Sequence, residues 1–124
     1  MAPKKIMIVD DSVTIVRAME TILVNAGYAV ETVTDSALVF DGRIERFGPH
    51  LFIVDINMPN FDGFYVVENI KNSSVAPDAK VVMCSTKFFE HDRVKAKRLG
   101  ADDFLVKPFA YKALLDMVES AIGR

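Results

Sequence analysis

Apolar positions along the chain fall into short blocks: Ile6 to Val9, Ala29 to Val33, Leu51 to Val54, Val81 to Cys84 and Phe104 to Val106. Each is of strand length, and most are continuous rather than alternating, the pattern of strands buried on both faces. Between the blocks the apolar residues recur at helical spacing. Ile15, Met19, Ile22 and Ala26 share one face, with Gly27 as a natural stop. Phe40, Ile44 and Phe47 form a second stripe, interrupted by Gly42, where glycine costs about 1 kcal/mol against alanine. Phe64, Val67 and Ile70 follow Asp62, a suitable cap. Arg93 to Leu99 reads as a helix ended by Gly100, and Leu114, Val118 and Ala121 mark a last one. Strands separated by helix-length crossovers pair in parallel, with helices on both faces of the sheet. The pattern predicts one doubly wound α/β domain over residues 1–124, with five strands, five helices and a polar connection at Asn72 to Asp78.

Composition narrows the classes. Hydrophobic residues make up 51% and charged residues 26%, a globular and not a disordered balance. The net charge of −2 argues against a nucleic-acid partner, which usually meets a basic excess. Cys84 has no second cysteine to pair with and sits in an apolar block, so it reads as a core thiol. A lone cysteine fits a reducing compartment. No apolar run reaches the length of a membrane helix or a signal-peptide core, so neither a membrane nor an export route is expected, and the expected location is the cytoplasm.

Open parallel sheets bind ligands beyond the carboxyl ends of their strands. The residues there are Asp10 and Asp11 after the first strand, Asp55 after the third, Ser85 and Thr86 after the fourth, and Lys107 after the fifth. Neighbouring strands lie roughly 4.8 Å apart, so these groups can share a site. Three carboxylates with one ammonium leave negative charge that a proton or a cation must offset. Oxygen ligands without His or Cys select a hard ion, and Mg²⁺ suits a site with few carboxylates. Mg²⁺ with a lysine is a common clamp on a transferring phosphoryl group, and a carboxylate can act as its acceptor. Plainer readings exist for each residue. Asp10 and Asp11 can complement a helix N-terminus, worth roughly 0.3–1 kcal/mol each. Asp55 can open a turn through Asn57, Pro59, Asn60, Asp62 and Gly63, and Lys107 can be a surface lysine. Their shared location at the strand ends favours the site.

"VDDS" at Val9 to Ser12, "DINMPNFDG" at Asp55 to Gly63, "CST" at Cys84 to Thr86 and "GADDFLVKPF" at Gly100 to Phe109 resemble the receiver domains of bacterial response regulators. The chemotaxis response regulator is the close structural type, and the resemblance implies the strand order 2-1-3-4-5 of that flavodoxin-like fold. It implies that Asp55 is the phosphoacceptor, charged from a phosphohistidine of a sensor histidine kinase or phosphotransfer protein. Asp11 and Asp55 would hold Mg²⁺ through side chains and Asn57 through its carbonyl, with Asp10 acting through water. Lys107 would hold a phosphoryl oxygen, and its bond to Pro108 would be cis. Ser85 would move to the new phosphoryl group and Phe104 would turn inward with it, a population shift read by a downstream target or output domain or by homodimerisation. Phe104 has no hydroxyl, so packing would report the state. The expected role is a signalling phosphoacceptor that assists its own phosphorylation and slow dephosphorylation, not a substrate-turnover enzyme.

Some residues depart from the family pattern. Thr86 replaces a small residue and would restrict access to the site. His50 stands where an aspartate is common and reads as a solvated loop residue. Asn57 and Lys87 occupy positions that tune dephosphorylation. Phe88 and Phe89 are adjacent aromatics; one in the core and one on the surface is the plainer arrangement, and one contacting a partner is the sharper. Two other classes fit less well. A flavin-binding domain would place an anion against Asp10 and Asp11, and an aspartate-nucleophile phosphatase would need an acid where Asn57 stands. No output domain is expected within the 124 residues.

Overall fold

Five consecutive buried residues, Leu51–Asp55, form β3, and the sheet is built outward from it. The computed structural model describes residues 2–86 and 89–123. Chain order runs β1 (Lys5–Val9), α1 (Val13–Asn25), β2 (Ala29–Val33), a 3₁₀ turn (Ser36–Leu38), α2 (Arg43–Phe47), β3, α3 (Gly63–Asn72), β4 (Lys80–Ser85), α4 (Glu90–Leu99), β5 (Asp103–Val106) and α5 (Tyr111–Ile122). The five strands are all parallel, in the order β2-β1-β3-β4-β5.

Side-chain alternation along the strands makes two cores. Met7, Val9, Phe52, Val54, Val81 and Met83 pack towards α2, α3 and α4. Ile6, Ile8, Leu51, Ile53, Val82 and Cys84 pack towards α1 and α5. Such strands must be apolar at every position, which is why their blocks are continuous. The edge strands are less covered: Ala29 to Thr32 are half-buried, and both ends of β5 are exposed.

The helices follow the predicted spacing with two corrections. On α1 the buried line is Val16, Met19 and Leu23, while Ile15 and Ile22 lie at its margin. Two apolar lines run side by side on this helix, and spacing alone does not rank them. The second stripe is not one helix from Phe40. Gly42 takes φ 101° and caps a single short helix, α2, and Phe40 precedes it, partly exposed. A glycine in the left-handed region ends regular helix on its N-terminal side. Ser36 to Leu38 form the separate 3₁₀ turn instead. Other signals behave as read: the Asp62 carboxylate accepts the Tyr65 N–H at 2.9 Å, and Gly100 closes α4 at φ 108°. Among the described residues no helix is long and apolar enough to cross a membrane.

Gly63 sets the distance between α3 and the end of β3. A Cβ there would lie 2.3 Å from the Asp55 carbonyl oxygen and 2.8 Å from Ile56 Cα. Both neighbours are backbone, so neither can rotate away. The Gly63 N–H also donates to Ile56 O at 2.8 Å. Gly63→Ala is therefore expected to lower stability by about 1–3 kcal/mol, as overpacking does. Urea unfolding measures it; a midpoint equal to wild type contradicts this account of the contact.

Candidate functional site

Backbone pairing continues one residue past several strand ends and fixes the groups found there. The Asp10 N–H donates to Val33 O at 3.1 Å, Ile56 N–H to Cys84 O at 3.0 Å and Lys107 N–H to Ser85 O at 2.8 Å. In register, Val9 lies opposite Val54, Asp55 opposite Cys84 and Ser85 opposite Val106. Asp10, Asp55 and Lys107 thus arrive at one edge of the sheet.

Lys107 Nζ donates to Asp10 Oδ2 at 2.6 Å and to Asp55 Oδ1 at 2.9 Å. All three groups are buried, Asp10 the most deeply at 2% exposure. The two adjacent acids therefore differ. Asp10 points inward and its Oδ1 accepts the Ser12 N–H at 2.9 Å, while Asp11 is exposed. The start of α1 is capped by Ser12, whose Oγ accepts the Ile15 N–H at 3.4 Å. Helix capping thus falls to Ser12 and not to either acid. Sequence reasoning assigned Lys107 to the phosphoryl oxygen and did not anticipate its pairing with Asp10.

Charge is not balanced at this edge. Carboxylate oxygens of Asp10, Asp11 and Asp55 all lie within 4.8 Å of one another. Burial raises the Asp55 pKa, the Lys107 hydrogen bond opposes it, and the Asp10 and Asp11 charges add to the rise; the net direction is upward. Burial also works against the Lys107 charge, but its bonds to Asp10 and Asp55 outweigh burial and raise its pKa. One ammonium therefore serves two buried acids and a third beside them. The pocket is able to hold a metal ion, and its oxygen-only donor set fits a hard divalent cation.

Ser85 is buried, and Thr86 and Asn57 are exposed. Asn57, Asp62, Ser85, Thr86, Phe89 and Lys95 are among the residues lining a cavity of about 340 Å³ between the loops that leave β3 and β4. Phe104 is half-buried against the core on the α3 and α4 side, with the Arg93 guanidinium carbon 5.3 Å from the ring centroid. Burial pushes the Cys84 thiol up to about 12, so it is inert core filling. His50 is exposed and its Nδ1 accepts the Lys5 N–H at 3.0 Å. The Lys107–Pro108 bond is cis. Phe89 is 58% exposed at the start of α4; Lys87 and Phe88 lie outside the described residues.

A parallel sheet in this order, with three acids and one lysine gathered beyond its strand ends, defines a doubly wound α/β domain carrying an acidic site able to hold a cation. The family model described as "Response regulator receiver domain" matches residues 6–119. The chain is 37% identical over 120 residues to Protein PilG of Pseudomonas aeruginosa, covering 95% of this chain and 87% of that one. It is 35% identical to the transcriptional regulatory protein YxdJ of Bacillus subtilis, covering 97% of this chain and 51% of the relative. The chain thus spans most of one relative and about half of the other. Chemotaxis protein CheY4 of Vibrio cholerae superposes with a TM-score of 0.92 at 30% identity, covering 98% of this chain and 100% of that structure. The chain belongs to the receiver domains of two-component response regulators, which act in phosphorelay signalling.

The raised Asp55 pKa has a consequence for stability. Its charged form is disfavoured in the folded state, so the cost is present above the folded pKa and disappears below the unfolded one, about pH 4. In metal-free buffer, Asp55→Asn is expected to unfold at a higher temperature than wild type at pH 7, with the gap closing towards pH 4. Thermal unfolding across that range checks it; equal midpoints at pH 7 contradict the direction of the shift.

Proposed function

We propose that Asp55 accepts a phosphoryl group, with Mg²⁺ held by Asp11, Asp55 and the Asn57 carbonyl, and Asp10 supporting the ion through water. The observation that carries this is the buried Asp55 carboxylate, bonded to Lys107 at 2.9 Å within reach of two further acids. The donor is a phosphohistidine on a sensor histidine kinase or phosphotransfer protein. With Oδ1 held by Lys107, Oδ2 attacks phosphorus; the P–O bond forms as the P–N bond breaks, and the electron pair leaves with the imidazole nitrogen, which takes up a proton. When bound, the cation offsets the negative charge of the acids and of the equatorial phosphoryl oxygens. Lys107 then transfers one of its hydrogen bonds from carboxylate to phosphoryl oxygen. Its buried position excludes the water that would otherwise weaken that bond.

Ser85 supplies the readout. Its hydroxyl bonds the new phosphoryl group, and the alternation of the strands puts Ser85 and Phe104 on the same face of the sheet, towards α4. Movement of Ser85 opens space that Phe104 fills. The phosphoryl group biases this equilibrium only by its stronger interaction with one of the two states. A downstream protein target or an output domain senses the result, directly or through a homodimer formed on phosphorylation, and cytoplasmic location suits a kinase partner of this type.

Two measurements test the reading. Incubation with acetyl phosphate and Mg²⁺ is expected to give one base-labile phosphoryl adduct by intact mass, absent in Asp55→Asn or without Mg²⁺. An equal adduct in Asp55→Asn removes the assignment. Titration calorimetry is expected to show Mg²⁺ binding lost in Asp11→Ala, and undiminished affinity places the ion elsewhere.

A further inference from the structure

The segment between Asp55 and α3 holds more structure than its turn-forming composition suggests. Its centre is clasped by the turn that follows β2. Ser36 is 2% exposed, and its Oγ donates to Pro59 O at 2.8 Å while accepting the Phe61 N–H at 3.0 Å. One hydroxyl therefore closes both sides of Asn60. Asn60 itself sits at φ 70°, in the left-handed region, and its Nδ2 donates to Asp35 Oδ1 at 2.9 Å. The same Asp35 oxygen accepts the Ala37 N–H at 3.0 Å and so holds the 3₁₀ turn in place. Three hydrogen bonds tie the two turns, and a residue in a costly backbone conformation persists because its surroundings hold it there.

The other anchors of this segment lie at its ends. Ile56 is paired to Cys84 in the sheet, and Gly63 packs against the Asp55 carbonyl. Asn57, Met58 and Pro59 bridge the interval between Ile56 and the clasp. A backbone carbonyl serves a cation best when its direction is fixed, and the exposed Asn57 side chain has no core packing to fix it. We infer that the Ser36 hydroxyl and the Asp35–Asn60 hydrogen bond are positioning groups for the Asn57 carbonyl, holding it where a divalent cation needs a third protein oxygen. This rests on the cation site proposed above. The side-chain hydrogen bonds of Asp35 and Ser36 run to Ala37, Pro59, Asn60 and Phe61, so the clasp acts through the loop.

The clasp works on cation affinity and leaves the chemistry at Asp55 alone. Ser36→Ala removes two hydrogen bonds and strands a carbonyl and an N–H, so its Mg²⁺ Kd by titration calorimetry is expected to rise about three- to ten-fold. Asn60→Gly removes only the Asp35 bond, at a φ glycine adopts without strain, and is expected to raise the Kd about two- to three-fold. At saturating Mg²⁺ both variants are expected to accept phosphoryl groups from acetyl phosphate within about two-fold of the wild-type rate, because binding energy and not reactivity has been lost. A merely structural role would lower the unfolding midpoint and leave the Kd unchanged, and that result overturns the inference. A reduced saturating rate at unchanged Kd overturns it as well. Should Ser36→Ala fail to fold, an unchanged Kd in Asn60→Gly decides against it. Wild type that binds no Mg²⁺ fails the cation reading itself; wild type that binds while both variants bind equally fails the clasp alone.

Discussion

One ammonium shared between two buried carboxylates organises this molecule. Lys107 stands 2.6 Å from Asp10 and 2.9 Å from Asp55, and each acid comes from a different strand. Buried ion pairs are expensive to desolvate and repay the cost only with good geometry. Here the geometry comes from the sheet, whose register and terminal backbone hydrogen bonds bring all three groups to one edge. The arrangement still leaves an acidic excess, because Asp11 adds a third carboxylate within the same 4.8 Å. A fold selected for stability alone would not leave that excess in place.

Strand alternation gives the edge a second level of order. Asp10 continues the parity of Ile6 and Ile8, Asp55 that of Leu51 and Ile53, and Lys107 that of Leu105, all on the α1 and α5 side. Ser85 continues the parity of Val81 and Met83, on the side where Phe104 packs. The buried ion-paired groups Asp10, Asp55 and Lys107 therefore stand over one core, and Ser85 and Phe104 stand over the other. The sheet is one layer thick, so the two sets remain neighbours across a backbone. Arg93 on α4 lies over the Phe104 ring, so the basic residues of that helix begin directly beside Phe104.

The fold was largely legible because its signals are redundant. Continuous apolar blocks mark doubly covered strands, and Asp62 and Gly100 mark helix ends by local chemistry that needs no tertiary context. The site was legible as a set of strand-end residues for the same reason. What failed depended on competition. On α1 two apolar lines compete for one core, and the chain resolves them by packing against α5. At Gly42 periodicity argued for helix and backbone preference against it, and φ 101° shows which won. The resemblance separated Asp10 from Asp11 by role, but the ion pair of the buried Asp10 with Lys107 was hidden, because the two residues lie 97 positions apart and meet only through the sheet.

Ser36 was missed for a different reason. A serine following an aspartate after a strand looks like ordinary turn chemistry, and its partners are 23 and 25 residues away. Nothing local distinguishes a solvated hydroxyl from one that joins two loops. The distinction follows from burial: a hydroxyl at 2% exposure must satisfy its hydrogen bonds within the protein, and here it uses both a donor and an acceptor function on one neighbouring turn. The Asp55 to Gly63 segment is thereby held at both ends and in its middle. A site that offers oxygens in fixed directions to a hard cation needs that constraint, since a side-chain carboxylate can turn about its own bonds while a main-chain carbonyl points only where its loop holds it.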